Sequence, residues 1–109
     1  MVSVTSRNPG IAAAEAARPE VEGFCRRHHV RRLALFGSVL RPDFREESDI
    51  DVLVEFEVDC SPGFFEFVGM KEELSALLGR PVDLRTPGSL SPYFRDEVLR
   101  EAVPLHDAA

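Results

Sequence analysis

Residues 49 to 56, Asp-Ile-Asp-Val-Leu-Val-Glu-Phe, alternate with a period of two, and this stretch restricts the chain most tightly. Ile50, Val52, Val54 and Phe56 fall on one side of a strand; Asp49, Asp51, Leu53 and Glu55 fall on the other. The first side needs a core to cover it. The second carries two carboxylates at i and i+2, about 6.5–7 Å apart by strand geometry. Like charges that close repel each other and resist losing water, and a divalent cation is the simplest compensation. Carboxylate oxygens in this number suit Mg²⁺, which takes one or two of them and completes its shell with phosphate or water.

The flanking sequence supplies the rest of a small domain. Arg32-Leu33-Ala34-Leu35-Phe36, stopped by Gly37, predicts a buried strand that ends in a tight turn. Upstream, Val21, Phe24, Cys25 and His28 recur at helical spacing. With Pro19 and Glu20 early and Arg26 and Arg27 late, they predict a helix over about residues 18–29. Residues 1–17, polar and then alanine-rich, predict a flexible leader, so the domain proper is 18–109. Phe64, Phe67, Val68, Met70, Leu74, Leu77 and Leu78 recur at threes and fours up to Gly79, with Pro81 beyond, and predict the main amphipathic helix. Residues 81–86 predict a third strand with Val82 and Leu84 facing one way and Asp83 and Arg85 the other. Ser91 and Pro92 are an N-cap and first-turn pair for a last helix, with Phe94, Val98, Leu99 and Ala102 as its buried stripe and Pro104 as its stop. The expected fold is α+β (mixed α/β), a mixed β-sheet with helices packed mainly on one face.

Charge and length narrow the function classes. Lys and Arg number 13 against 19 Asp and Glu, a net charge of −6, so the basic stripe that grips a phosphate backbone is not expected, nor is a nucleic-acid partner. No apolar run approaches the roughly 20 residues of a membrane span, and no signal-peptide h-region stands at the N-terminus, so a cytoplasmic chain is expected. Cys25 and Cys60 read as free thiols. His28 and His29 are neighbours that point apart on a helix end, with no spaced third ligand, and read as surface groups. Glu55, Glu57 and Asp59 read as a solvated run. Of Phe64, Phe65 and Phe67, helical spacing assigns most to the core, and Phe65 is the candidate for exposure.

Asp83 shares the parity argument of Asp49 and Asp51, so three carboxylates converge if their strands are neighbours. Gly37-Ser38, where the first strand turns, offers a backbone N–H and a hydroxyl as an anion-binding corner. A phosphate corner facing a metal site describes phosphoryl-group chemistry. Gly37-Ser38, ten residues, then Asp49-Ile50-Asp51 resembles the signature of the DNA polymerase β-like nucleotidyltransferases. With Leu33 to Ser38, Ser48 to Phe56, Gly79 to Leu84, Leu90 to Pro92 and Leu99 to Val103, the chain from about residue 19 is similar to the minimal nucleotidyltransferases, the MNT antitoxins that accompany HEPN-domain toxins.

The resemblance implies a polymerase β-like core in which Asp49, Asp51 and Asp83 are catalytic and hold two Mg²⁺ ions, while Gly37, Ser38 and Arg41 bind the nucleotide. ATP is the implied donor, and the implied acceptor is a tyrosine hydroxyl of a HEPN toxin that adenylylation silences. A homodimer or a hetero-oligomer with the toxin is implied as the assembly. The sequence departs from the family where Leu40-Arg41-Pro42 stands for Ala-Arg-Gly; that proline, without an N–H, keeps open an antitoxin that neutralises by binding alone. Transfer to a small molecule is the third reading, disfavoured because 109 residues leave no room for a substrate-enclosing domain.

Overall fold

The structure is a computed structural model that describes residues 9–42, 44 and 48–108. In chain order it contains helices α1 (Pro9–Ala16) and α2 (Arg18–Arg27), strand β1 (Val30–Phe36), a 3₁₀ turn at Gly37–Leu40, and strand β2 (Ile50–Phe56). Helix α3 (Phe64–Leu78), strand β3 (Val82–Arg85), a short 3₁₀ turn at Pro87–Ser89, helix α4 (Arg95–Glu101) and strand β4 (Val103–Asp107) follow. The four strands form one mixed sheet in the order β3-β2-β1-β4. β1 is antiparallel to both β2 and β4, while β2 and β3 run parallel.

The alternation of β2 decides which face is covered. Leu33 and Leu35 of β1 stand opposite Val54 and Val52, and Val82 and Leu84 of β3 stand opposite Ile50 and Val52. These side chains join Ile11 and Ala14 of α1, Val21, Phe24 and Cys25 of α2, and Met70, Leu74 and Leu78 of α3 in a single buried cluster. Thus α2 and α3 cover one face, as the sequence predicts, and α1 covers it with them. Burying a Phe or Leu side chain there stabilises by about 1.5–3 kcal/mol. On the other face Ala34 and Leu53 are also buried, together with Leu90 and Ala102 of the segment around α4. Arg95 fastens that segment by donating hydrogen bonds to the carbonyls of Pro87 (2.8 Å) and Leu90 (3.1 Å).

Four sequence expectations change. Residues 9–16, assigned to the flexible leader, form α1 and bury Ile11 and Ala14; residues 1–8 of that leader lie outside the described residues. Alanines that pack closely against a neighbouring helix need no long side chains, which is why composition alone reads them as loose. The last helix begins at Arg95 rather than beside Ser91, and the chain after it forms β4, which sequence reasoning missed. Pro104 is a stop for a helix but is tolerated on an edge strand, where a missing N–H costs no ladder bond. Phe94 is 60% exposed and Phe64 75% exposed, so neither belongs to the core stripe assigned to it; Phe65 is exposed too. No helix among the described residues is long and apolar enough to cross a membrane.

Candidate active site

Three local devices bring the acidic residues and the glycine-serine bend together. The first is the end of α3. Gly79 adopts a left-handed φ of 72°, and the Gly79 and Arg80 N–H groups both donate to the Ser75 carbonyl. The Ser75 hydroxyl accepts from Val82 N–H at 3.1 Å, which binds the start of β3 to the helix. The second is the register of β2 and β3. Ile50 N–H donates to the Pro81 carbonyl at 2.9 Å, Ile50 opposes Val82, and so Asp51 opposes Asp83 on the same face. The third is the bend after β1, where Gly37 takes φ 73°, a conformation that side-chain-bearing residues rarely adopt. A Cβ on Gly37 would also collide with the Asp51 carboxylate.

The bend turns its donors toward that carboxylate. Ser38 N–H donates to Asp51 Oδ2 at 3.3 Å, and the Ser38 hydroxyl lies 3.5 Å from the same oxygen. Phe36, the last residue of β1, stands opposite Asp51. Asp83 is paired with Arg85, Nε to Oδ1 at 3.3 Å and Nη2 to Oδ2 at 3.3 Å. Asp49 lies just outside β2, exposed at its entrance, and Arg41 is exposed beyond the bend. The structure therefore brings Gly37, Ser38, Asp51 and Asp83 into one cluster, with Asp49 and Arg41 at its margins.

The electrostatics favour a cation. Burial pushes the Asp51 carboxyl above its usual range; the Ser38 N–H opposes this, the Asp83 charge adds to it, and the Ser38 hydroxyl and Arg85 pull back weakly. The net shift is upward, so cations on the chain do not fully compensate the charge on Asp51. Arg85 does not close the gap. Its pair with Asp83 is substantially exposed, at 47% and 39% for the two side chains, and such pairs are worth about 0–1 kcal/mol. A dication can displace that partner at small cost. Oxygen donors only, two of them in register on a solvent-facing side, match the ligand preference of Mg²⁺.

Beside the bend a cleft of about 320 Å³ opens between Phe36, Gly37, Arg41 and the α4 segment, which contributes Phe94, Glu97 and Glu101. The α4 contribution was not found by sequence reasoning. No sequence signal marked it, because Phe94 keeps helical spacing with Val98 and Ala102. Arg85 was placed on the same side as Asp83, but its pairing role was not read. Pro42 suits the turn it occupies: Phe44 N–H donates to the Arg41 carbonyl at 3.2 Å across it, and proline's fixed φ suits the first inner position of such a turn.

The family described as "Nucleotidyltransferase domain" matches residues 19–105. Protein adenylyltransferase MntA of Thermococcus cleftensis is 43% identical over 77 residues, covering 71% of this chain and 76% of that protein. A Methanocaldococcus jannaschii homologue named for the same activity is 43% identical over 77 residues, covering 71% of this chain and 81% of its own length. A solved minimal nucleotidyltransferase structure superposes with TM-score 0.71 at 40% identity, covering 85% of this chain and 93% of that one. A tri-AMPylated Shewanella oneidensis HEPN toxin in complex with MNT antitoxin matches with TM-score 0.62, over 86% of this chain and 72% of that one. At 21% identity that last likeness speaks for the fold alone.

Proposed function

This chain belongs to the nucleotidyltransferase-domain family, and from that premise we propose that it is a protein adenylyltransferase that moves AMP from ATP onto a tyrosine hydroxyl of a HEPN-type toxin and so acts as its antitoxin. The observation that carries the reading is the juxtaposition of Asp51 and Asp83 across the β2–β3 register with the Ser38 N–H turned into the same corner. Relatives named protein adenylyltransferase support AMP transfer to a protein, and the HEPN-type acceptor is the partner of a neighbour of the same fold. The net charge of −6 disfavours a nucleic-acid acceptor.

Asp51 and Asp83, with Asp49 at the entrance, would hold Mg²⁺, two ions in this reading. When bound, Mg²⁺ supplies charge neutralisation for the attacking and leaving oxygens. Asp51 is fixed for this task by Ser38, whose N–H and hydroxyl limit its rotamers. Gly37 keeps the bend open by having no side chain, and the exposed Arg41 is positioned at the cleft to meet phosphate oxygens. The tyrosine oxygen forms a bond to the α-phosphorus, the bond between the α-phosphorus and its bridging oxygen breaks, pyrophosphate leaves, and the hydroxyl proton goes to solvent or a nearby carboxylate.

The test is transfer of labelled AMP to a co-expressed HEPN partner by purified protein with Mg²⁺. Incorporation into the toxin, abolished in Asp51→Asn and Asp83→Asn, is the expected result. If no nucleoside triphosphate supports transfer and those variants neutralise the toxin as well as the native protein does, the chain masks its partner by binding alone.

A further inference from the structure

The opposite end of the β1–β2 pair carries a second cluster of ligating groups. His29 precedes β1 and Glu57 follows β2; the ladder continues between them, Glu57 N–H donating to the His29 carbonyl at 2.9 Å. The chain then turns, with Cys60 N–H donating to the Glu57 carbonyl at 3.0 Å and Asp59 in the left-handed region at φ 64°. As a result one nitrogen of His29, one carboxylate oxygen of Glu57 and the Cys60 sulfur all lie within 4.8 Å of one another. His29 Nδ1 and Glu57 Oε1 are already 3.8 Å apart.

These donors differ in kind from those of the carboxylate cluster. A nitrogen, a sulfur and one oxygen are the set a borderline-soft, four-coordinate cation selects, whereas Mg²⁺ asks for oxygen. With bonds of about 2.0–2.3 Å, tetrahedral ligand atoms stand roughly 3.4–3.7 Å apart, so side-chain rotation alone closes the cluster around one ion. The backbone is set for it: His29 holds φ 56°, which an ordinary side-chain-bearing residue adopts only at a cost. The neighbouring histidine is not a competitor, because His28 Nε2 is hydrogen-bonded to Glu73 at 2.9 Å and its Nδ1 faces Glu66 at 3.4 Å. A recess of about 130 Å³ beside His29 and Cys60, edged by Ser61 and Glu66, leaves room for a fourth ligand.

We propose that His29, Glu57 and Cys60 form a binding site for a divalent cation of the zinc class, with the fourth position open to water or to a ligand entering the recess. The thiol loses its proton to solvent as the sulfur bonds the metal. This site stands about 20 Å from Asp51 along the strands, by the strand rise, and does not depend on the transferase reading.

The experiment uses the whole chain, stripped with a chelator, in the native protein and in an Asp51→Asn, Asp83→Asn background that removes the other cluster. Zn²⁺ is titrated calorimetrically and Co²⁺ spectroscopically. One equivalent should bind in both backgrounds, with a thiolate-to-cobalt charge-transfer band. The band should vanish in Cys60→Ser, and His29→Ala and Glu57→Gln should each weaken Zn²⁺ binding more than about tenfold. AMP transfer by Cys60→Ser should equal that of the native protein. Three results would each overturn the site: no saturable Zn²⁺ binding, a cobalt–thiolate band that survives Cys60→Ser, or affinity indifferent to His29→Ala.

Discussion

The two faces of the sheet put side chains from the same strands to opposite uses. On one face β1, β2 and β3 contribute Leu33, Leu35, Ile50, Val52, Val54, Val82 and Leu84, all buried under α1, α2 and α3. On the other, one residue along, stand Asp51 and Asp83, with a small apolar patch of Ala34 and Leu53 as their only fully buried neighbours on the strands. Among the described residues no polar or charged residue is classed as buried. The apolar face therefore holds most of the buried apolar side chains. Their burial lets the other face hold like charges in register, an arrangement that destabilises the chain in the absence of a cation.

This division can be broken most directly by exchanging one residue from each face. Asp51→Asn should lower AMP transfer by about 10³-fold or more, since it removes interactions worth several kcal/mol in the transition state, while the thermal midpoint of the metal-free protein stays level or rises. Phe24→Ala on α2 should do the reverse, costing about 3–5 kcal/mol of stability with the rate per folded molecule unchanged. Denaturant unfolding and single-turnover transfer, measured on both variants, check the pair. A large loss of stability in Asp51→Asn would mean that the carboxylate is structural and that the faces are not specialised as described.

The apolar face also has a pH signature. Burial, with a smaller push from Glu22, raises the Cys25 thiol from an ordinary 9.0 to about 12. The folded chain thus keeps a proton that the unfolded chain has lost, and stability present below pH 9 drains away as pH rises toward 12. The slope from this one group is about 1.4 kcal/mol per pH unit. Cys25→Ala, less stable at neutral pH because of its cavity, should close the gap to the native protein by that amount per unit between pH 9 and 11. A constant gap in urea melts across that range would show that Cys25 is not sealed from water.

How much of this was legible in the sequence follows the same division. Residues 50 to 56 alternate so regularly that the buried and acidic sides of β2 are read without coordinates. The parity of Asp83 with Asp51 is equally plain. Their adjacency is not, because nothing local states that β3 pairs parallel to β2; the resemblance supplied what periodicity could not. The 3₁₀ bend at Gly37-Ser38 was expected as a turn, and its left-handed glycine accords with that. What failed was at the periphery. Pro104 reads as a helix stop but sits in an edge strand, the alanines of 12–14 and 16 read as loose but form a helix, and Phe64 and Phe94 fit a helical stripe yet face solvent. These elements are fixed by what they pack against, α1 by α2 and α3 and β4 by β1, and such tertiary partners override local propensity. His29, Glu57 and Cys60 were each read as a surface bystander because they meet only when the hairpin end folds.

The smallest expected effect separates two carboxylates by what surrounds them. Asp51 is held above its usual range, with its compensation left incomplete. Glu73 on α3 is its opposite: burial works to raise it, but hydrogen bonds from Arg27 and His28 outweigh that and hold it below the ordinary 4.5. A group depressed on folding contributes stability that is present above its unfolded value and disappears as pH falls through the folded one. Arg27 and His28 lie at the C-terminal end of α2, so the pair clamps α2 to α3 at the rim, partly in water, and screening limits it to about 0.5–1 kcal/mol. Glu73→Gln should lose that amount at pH 7 and less at pH 3, below the ordinary 4.5, with AMP transfer at pH 7 untouched. An equal loss at both pH values would show that Glu73 acts through packing rather than charge. A loss of transfer would show that the rim reaches the active face, against the separation of stability and chemistry that the two sides of the sheet display.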